Sequence, residues 1–532
     1  MTAWPARDRK GTSNMGRVLL RGVVLAVFLP VFATAGTIYV NGTTGNDAWD
    51  GLCEVWDGGT CGPKLTIRAA IDAANWGTVI VADGTYTGLG NRDIRFFGKA
   101  ITVRSVSGPA GCIIDCEELG QGFFLCDNET NASVIDGFTI RRAYWQGGGG
   151  GIACYSSPII RNCVLSENTA LTGGGAFLTG DSLLVEHCTF VSNVATESGG
   201  GIYARGTGVT IRDCVIASNT ATGTYDYGHG GGLYVEDGAT TVERCVFSNN
   251  SADWGGGLAA RSGHVVNCTI TSNHALYGGG ALYTDRDDGL ILANCVVAGN
   301  SSYWYGGGVY ADGAEFQFYG CTVTGNAAGW YGGGLYCFYG STSELHNSIV
   351  AGNTATYGAE VALDDWSQLV TEYSDILGGD DWLWVGGGSF VVWGNGNIDL
   401  DPAFIDPDTG NYRLQQDSPC VDAGSNEALP SDWADLDGDG DLSEPVPYDL
   451  DDHPRVARFT VDMGAYEVPF GDLNCDGSVG FGDINPFVLV LSNPSAWQAA
   501  YPGCELLYGD INGDGSVNFG DINPFVALLT GR

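Results

Sequence analysis

Two short motifs alternate between residues 136 and 360, and together they dictate how the chain can fold. One is a glycine run followed by an apolar pair, beginning at Gly149, Gly173, Gly199, Gly230, Gly255, Gly278, Gly306 and Gly332. The other is a short apolar strand entered by a cysteine and closed by an asparagine. The cysteines are Cys163, Cys188, Cys214, Cys245, Cys268, Cys295 and Cys321, with Ser348 in the eighth place. An asparagine follows each five residues later, at Asn168, Asn193, Asn219, Asn250, Asn273, Asn300, Asn326 and Asn353. Fixed spacing inside the unit with variable spacing between units means one strand–turn element repeated, joined by loops of differing length. Thr220–His229 is the largest insertion.

Strands this short cannot form a sheet alone. Stacked as parallel coils about 4.8 Å apart, they bury their inward side chains in one continuous core. Asparagine tolerates the left-handed backbone of a turn, and stacked amides can hydrogen-bond along the axis. Glycine runs allow a sharp corner and close backbone approach. The cysteines read as small buried hydrophobes, one per coil; with parallel Cβ vectors they suit neither disulfides nor a convergent metal site. Gly 84 alongside 44% hydrophobic residues argues against disorder, which is poor in apolar residues.

Glycine runs paired with Phe190-Val191-Ser192-Asn193 or Ile270-Thr271-Ser272-Asn273 resemble the polymorphic outer-membrane protein repeat. More broadly, residues 37–425 are similar to the right-handed parallel β-helix, or pectin-lyase-like, superfamily. The opening fits as well: Ile38-Tyr39-Val40, the amphipathic Leu65–Asn75, then Thr78-Val79-Ile80-Val81. The resemblance implies an all-β, single-stranded parallel β-helix of about 10–12 coils, its first coil capped by a helix. It says little about function, because this fold hosts lyases, hydrolases, epimerases and adhesins.

Enzymes of this fold need clustered carboxylates on one face. Asp181, Asp213, Glu236, Asp237, Glu243, Asp285, Arg286, Asp287 and Asp288 are available, but they read as solvated loop positions. No carboxylate pair recurs at ladder register, and His187, His229, His264, His274 and His346 share no spacing, so no catalytic residue is assigned. Aromatics precede the glycine runs at Tyr227, Trp254, Tyr277, Tyr305, Tyr331 and Tyr357, with Trp304 and Trp330 one residue earlier. In register they form a stripe, which either stacks on polysaccharide or packs on itself to shield the corner.

The last 62 residues carry the most specific motif. Asp472, Asn474, Asp476, Gly477, Ser478 and Asp483 occupy positions one, three, five, six, seven and twelve of a loop, and Asp510, Asn512, Asp514, Gly515, Ser516 and Asp521 repeat it. Oxygens at these spacings around a turn glycine supply the shell that Ca2+ prefers. Apolar runs, Ile484–Leu491 and Ile522–Leu529, should form helices, giving a small EF-hand-like calcium-binding module. The pair resembles a type I dockerin module, which implies a cohesin-like partner. Phe481-Gly482 and Phe519-Gly520 depart from the small hydroxyl residues often found there. Upstream, Asp435, Asp437, Asp439 and Asp441 alternate around Gly438 and Gly440; this is a third calcium loop or a solvated acidic one, and Val446 stands at its twelfth position. Cys475–Cys504 and Cys53–Cys61 are expected disulfides in an oxidising compartment.

Arg17 and Arg21, the apolar Val23–Phe32 and Ala33-Thr34-Ala35 read as an export signal, too short to span a bilayer. The expected organisation is thus a signal peptide at 1–35, a capped β-helix at 36–425, an acidic closing segment or linker at 426–470, and the calcium module at 471–532. The formal charge of −39 excludes nucleic acid and anionic membranes as natural partners and favours cations. The expectation is a secreted or cell-surface binding or structural protein tethered through the module, with a polysaccharide lyase or glycoside hydrolase as the alternative.

Overall fold

Each unit turns four times, and its sequence marks the corners. In one coil, Leu184–Glu186, Thr189–Val191, Val194–Ala195 and Ile202–Ala204 are successive strands. The first two are separated by His187-Cys188, the next two by Ser192-Asn193, and the last two by Thr196-Glu197-Ser198 and the glycine run. A computed structural model describes residues 36–530, apart from 224–227, 238, 286–288, 477–478 and 503. The expected signal peptide lies outside the described residues, as do Tyr227, Arg286, Asp287, Asp288 and Ser478.

Equivalent strands of successive coils pair in parallel and build four sheets of 14, 12, 7 and 11 strands. They are called here the long, cysteine, short and aromatic sheets. The 12 strands of the cysteine sheet correspond to about 12 coils. Register is held without slippage along the core: Ile160, Val185, Ile211, Val242, Val265, Leu292, Phe318 and Leu345 are successive partners, all buried. A one-residue slip would turn this row outward, so burial enforces the register. The expected cap is the helix Ile67–Ala73. Thr66 caps its N-terminus by accepting from Ala69 N, and Ile67, Ala70 and Ile71 join the core at the open end of the first coil.

The asparagine ladder is present, with one correction. From Asn168 to Asn353 each Nδ2 donates to the next coil's Oδ1 at 2.9–3.0 Å. The asparagines do not hold the left-handed conformation; the residue before each does, from Glu167 and Ser192 to Gly352. The preceding residue makes the turn, which leaves the amide free to point inward and accept from buried backbone N–H groups. The ladder ends on a carboxylate, with Asn353 Nδ2 donating to Glu360 Oε2 at 2.6 Å. A second left-handed row precedes the cysteines, at Asn162, His187, Asp213, Arg244, Asn267, Asn294, Gly320 and Asn347. Cys163 to Cys321 are buried and free, while Cys53–Cys61 and Cys475–Cys504 are disulfides.

Residues 425–470 run along the outside of the coils as a strap. Asn347 exchanges hydrogen bonds with Ser425 (2.7 and 3.0 Å), while Asn294 and Asn267 donate to Tyr448 O and Asp449 O, both at 2.8 Å. Between them Gly320 leaves room for the buried Arg455 guanidinium, which a Cβ there would strike at 2.2 Å. Arg455 pairs with the buried Glu467 and donates to Gly464 O. The strap therefore fastens to four consecutive left-handed corners.

Candidate functional site

The outer face of the aromatic sheet is where the coil gathers chemistry. The middle residues of successive strands, Phe177, Tyr203, Tyr234, Ala259, Tyr283, Tyr310, Tyr336, Ala362 and Trp384, are direct register partners. Their rings stack along the axis: Phe177–Tyr203 at 4.7 Å, Tyr283–Tyr310 at 5.6 Å and Tyr310–Tyr336 at 5.3 Å between centroids. Where Ala259 interrupts the row, the His229 imidazole fills the gap, 5.7 Å from Tyr234 and 5.5 Å from Tyr283.

The residues preceding the glycine runs form a second row beside the first. Its register is His229, Trp254, Gly278, Tyr305, Tyr331 and Tyr357. Tyr277 is thus displaced from the expected stripe, because the run at 278–280 begins its left-handed turn at Gly279 and puts Gly278 in the aromatic position. Trp254 spreads across that glycine to reach Tyr283 at 5.2 Å and Tyr310 at 5.5 Å. The two readings of the stripe divide by residue. Trp254, Tyr305 and Tyr331 pack on the inner row, whereas Trp330 (49%) and Tyr357 (45%) are exposed, as is Tyr303 (61%), which the expected stripe does not include.

Charged groups line the same face. Arg205 pairs with Glu236 (3.4 Å) and Asp237 (3.2 Å), and Arg261 pairs with Asp285 (2.9 Å) while lying over the Tyr234 ring. Tyr155, Phe177, Asp181, Arg205, Thr207 and Asp237 line a shallow cleft of about 570 Å³ at one end. Asp285 and Asp312 are register partners on adjacent coils. The sequence expectation is that no carboxylate pair recurs at ladder register; this pair stands in register once and is followed by Phe338 on the next coil. The 27-residue interval between them carries no fixed motif, although Leu282-Tyr283-Thr284-Asp285 and Val309-Tyr310-Ala311-Asp312 share a pattern. The two acids differ in surroundings. Asp285 is held by Arg261; Asp312 makes no ion pair among the described residues, and burial followed by the charge of Asp285 raises its pKa. Paired carboxylates in unequal environments can divide acid and base roles. Asp213 and Glu243 lie elsewhere, with Arg212 and Arg244, at the edge of the long sheet.

The two C-terminal loops have closely similar internal geometry. Asp483 is buried and its Oδ1 accepts from Leu473 N and Asn474 N, while Oδ2 accepts from Gly480 N. Asp521 repeats this with Asn512 N and Asn518 N. Asp476 N donates to Asp472 Oδ1 (3.2 Å) and Asn474 Oδ1 (2.8 Å); Asp514 N donates to Asp510 Oδ1 (3.0 Å) and Asn512 Oδ1 (2.9 Å). Ser516 N donates to Asp514 Oδ1. These bonds curl each loop, and its carboxylate and amide oxygens are of the ligand type a hard divalent cation takes, although among the described residues the carboxylates of neither loop converge as those of the strap do. Helices follow at Ile484–Ser492 and Ile522–Thr530, with a third at Pro494–Ala500. Phe487 and Phe525 meet at 4.3 Å in a core with Leu473, Trp497 and Ile511, whereas Phe481 and Phe519 are exposed.

In the strap, oxygens of Asp435, Asp437 and Asp439 converge within 4.8 Å, whereas Asp441 turns to Ser443. Asp432 and Glu444, which the alternating pattern does not include, form a second group with Asp437.

Residues 100–264 and 258–398 match the family model described as right handed beta helix region, together more than half of the chain. Among solved structures, XylC in complex with xylose is similar over 81% of this chain and 98% of its own, at 9% identity and TM-score 0.50. Pectate lyase Pel9A is similar over 81% and 96%, at 14% identity and TM-score 0.40. The catalytic unit of the GH87 α-1,3-glucanase of Streptomyces thermodiastaticus strain HF3-3 is similar over 63% and 65%, at 14% identity and TM-score 0.40. No curated protein matches the chain. With this family match over its parallel coils and buried asparagine ladder, the chain belongs to the right-handed β-helix family.

Proposed function

We propose that this is a secreted or cell-surface protein that binds polysaccharide along the aromatic sheet and is held in place through a calcium-folded C-terminal module. The exposed rings of Tyr303, Trp330 and Tyr357 carry the reading. Trp330 packs on Trp304 and Tyr331, Tyr357 on Tyr331 and Trp384, and Tyr303 on Trp304; these ring contacts restrict their positions, so little side-chain freedom is lost on stacking against a sugar face. Glu236, Asp237, Asp285 and Asp312 give the face an acidic balance over Arg205 and Arg261, which favours neutral glycans over polyuronates. Asp472, Asn474, Asp476, Asp483 and their counterparts Asp510, Asn512, Asp514, Ser516 and Asp521 would hold Ca2+. Exposed Phe481 and Phe519 suit a protein partner of the cohesin kind with an apolar contact surface. The test is calorimetric titration with xylan, β-glucan and polygalacturonate. Binding to a neutral polymer that falls about tenfold in Trp330→Ala, a loss of about 1.4 kcal/mol, supports the proposal; equal binding by the variant overturns it.

Asp285 and Asp312 favour a second reading, a glycoside hydrolase using one as acid and the other as base or nucleophile. New reducing ends from the same polymers, abolished in Asp312→Asn with binding retained, would establish it. Silence across the panel sinks it for those substrates.

A further inference from the structure

The strap contains a polar cluster that neither the coil nor the C-terminal loops require. Its base is a short antiparallel pairing: Asp432 N donates to Glu444 O at 2.8 Å, and Val446 N donates to Pro430 O at 2.9 Å. This places Asp432 and Glu444 side by side, twelve residues apart, with the glycine-rich turn of the loop beyond them. A carboxylate oxygen from each of Asp432, Asp437 and Glu444 lies within 4.8 Å of the other two. Asp432 is 1% exposed, and its Oδ2 accepts from Leu436 N at 2.8 Å. Its Oδ1 and Glu444 Oε1 are both shut off from solvent and accept no hydrogen bond. No ion pair among the described residues reaches Asp432, Asp435, Asp437, Asp439, Asp441 or Glu444. Buried carboxylate oxygens without donors, set against further acids and no base, demand either protons or a cation.

We propose that Asp432, Asp437 and Glu444 bind one calcium ion, and that this ion fastens the strap to the β-helix. Oxygen-only ligands on a loop select a hard cation, and an exposed Asp437 leaves room for water in a shell of six to eight. Asp435 and Asp439 sit next to Asp437 and add charge from the outer side. The coupling to the coil is structural. Leu436, inside the loop, and Val446, at its base, form one buried patch with Val266 and Ala293 of the long sheet. Trp433, the neighbour of Asp432, stacks on His264 at 4.6 Å. Closing the loop around an ion thus holds both anchors in place. The inference does not depend on the C-terminal loops or on the polysaccharide reading.

The test is calcium titration by calorimetry of the full mature chain after chelation, for wild type and for Asp432→Asn/Glu444→Gln. One Ca2+ fewer per chain in the variant, with the remaining sites unchanged, is expected. The same stoichiometry and affinities in both proteins overturn the proposal and leave protonated carboxyls as the explanation for the cluster. If the double variant misfolds, Asp437→Asn, on the exposed side, decides: at least tenfold weaker binding at one site supports the site, unchanged binding refutes it. Terbium luminescence excited through tryptophan gives a second readout. It should drop in Trp433→Phe while calcium stoichiometry holds; a signal unaffected by that substitution places the ion elsewhere.

Discussion

The coils and the C-terminal third solve the same problem, how to satisfy buried polar groups, by opposite means. In the coils each asparagine of the ladder from Asn168 to Asn353 meets another from an adjacent rung, and the chain supplies its own partners once per coil. In the strap, carboxylates converge, and Asp432 Oδ1 and Glu444 Oε1 accept from no donor; in the C-terminal loops, Asp483 and Asp521 accept from a few backbone N–H groups. A periodic backbone can pair its polar groups with copies of themselves. A non-repeating loop has no copy to call on, so its order depends on an outside partner or on protonation. Stability in the first region should respond to substitution, and in the second to solution conditions.

Chelation is the harshest way to break this comparison. Addition of EDTA should abolish protection from hydrogen exchange across the helices Ile484–Ser492 and Ile522–Thr530 while leaving the coil amides protected. Equal protection with and without chelator would remove the contrast. Next come backbone contacts between coils. A Cβ on Gly200 would meet Gly231 O at 2.3 Å and Thr220 O at 2.6 Å, and Gly200→Ala should destabilise the coil by about 4 kcal/mol in urea unfolding. Asn273→Ala leaves Asn250 N and Nδ2 without their shared acceptor and should cost about 3 kcal/mol.

These predictions rest on features that differ in how legible they were. The coil was readable because its glycine, cysteine and asparagine intervals repeat, and a repeat needs no knowledge of tertiary partners. The inner tyrosine row was visible in Ile202-Tyr203, Leu233-Tyr234 and Val309-Tyr310, yet it read as part of an apolar pair. Asp285 and Asp312 became neighbours only through register, which a 27-residue gap of variable loops conceals. The strap was least legible. Asp432 and Glu444 are brought together by two backbone hydrogen bonds, and nothing in the alternation of acids from 435 to 441 points outside that run.

A smaller effect sharpens the comparison at the ladder's end. Burial raises the carboxyl of Glu360 to about 7. A carboxyl whose pKa is higher in the folded than in the unfolded chain favours folding when protonated. Its contribution is therefore complete below about 4.5 and is lost as pH rises through about 7. Glu360→Gln removes the titration and should flatten the stability profile between those values, while its NH2 group, with the oxygen kept toward Asn353, faces Gly352 N and offsets the gain at pH 8. An unchanged slope would show that the carboxylate is not the titrating group. The smallest effect belongs to the exposed aromatics. Trp330→Ala should change stability by no more than about 0.5 kcal/mol, against about 2–3 kcal/mol for Trp254→Ala in the packed row.

The strap has a consequence for how such a chain can change its length. A ladder that meets itself at every rung tolerates duplication, since a new coil inserted between two others finds the same partners above and below. The strap removes that freedom locally. By gripping the corners at Asn267, Asn294, Gly320 and Asn347, it acts as a ruler for the coils it spans. A whole-coil duplication upstream, between Asn168 and Asn219, leaves that measure untouched. The same duplication between Asn267 and Asn347 puts every later fastening out of step, so growth of this fold is confined to the end that the strap does not reach.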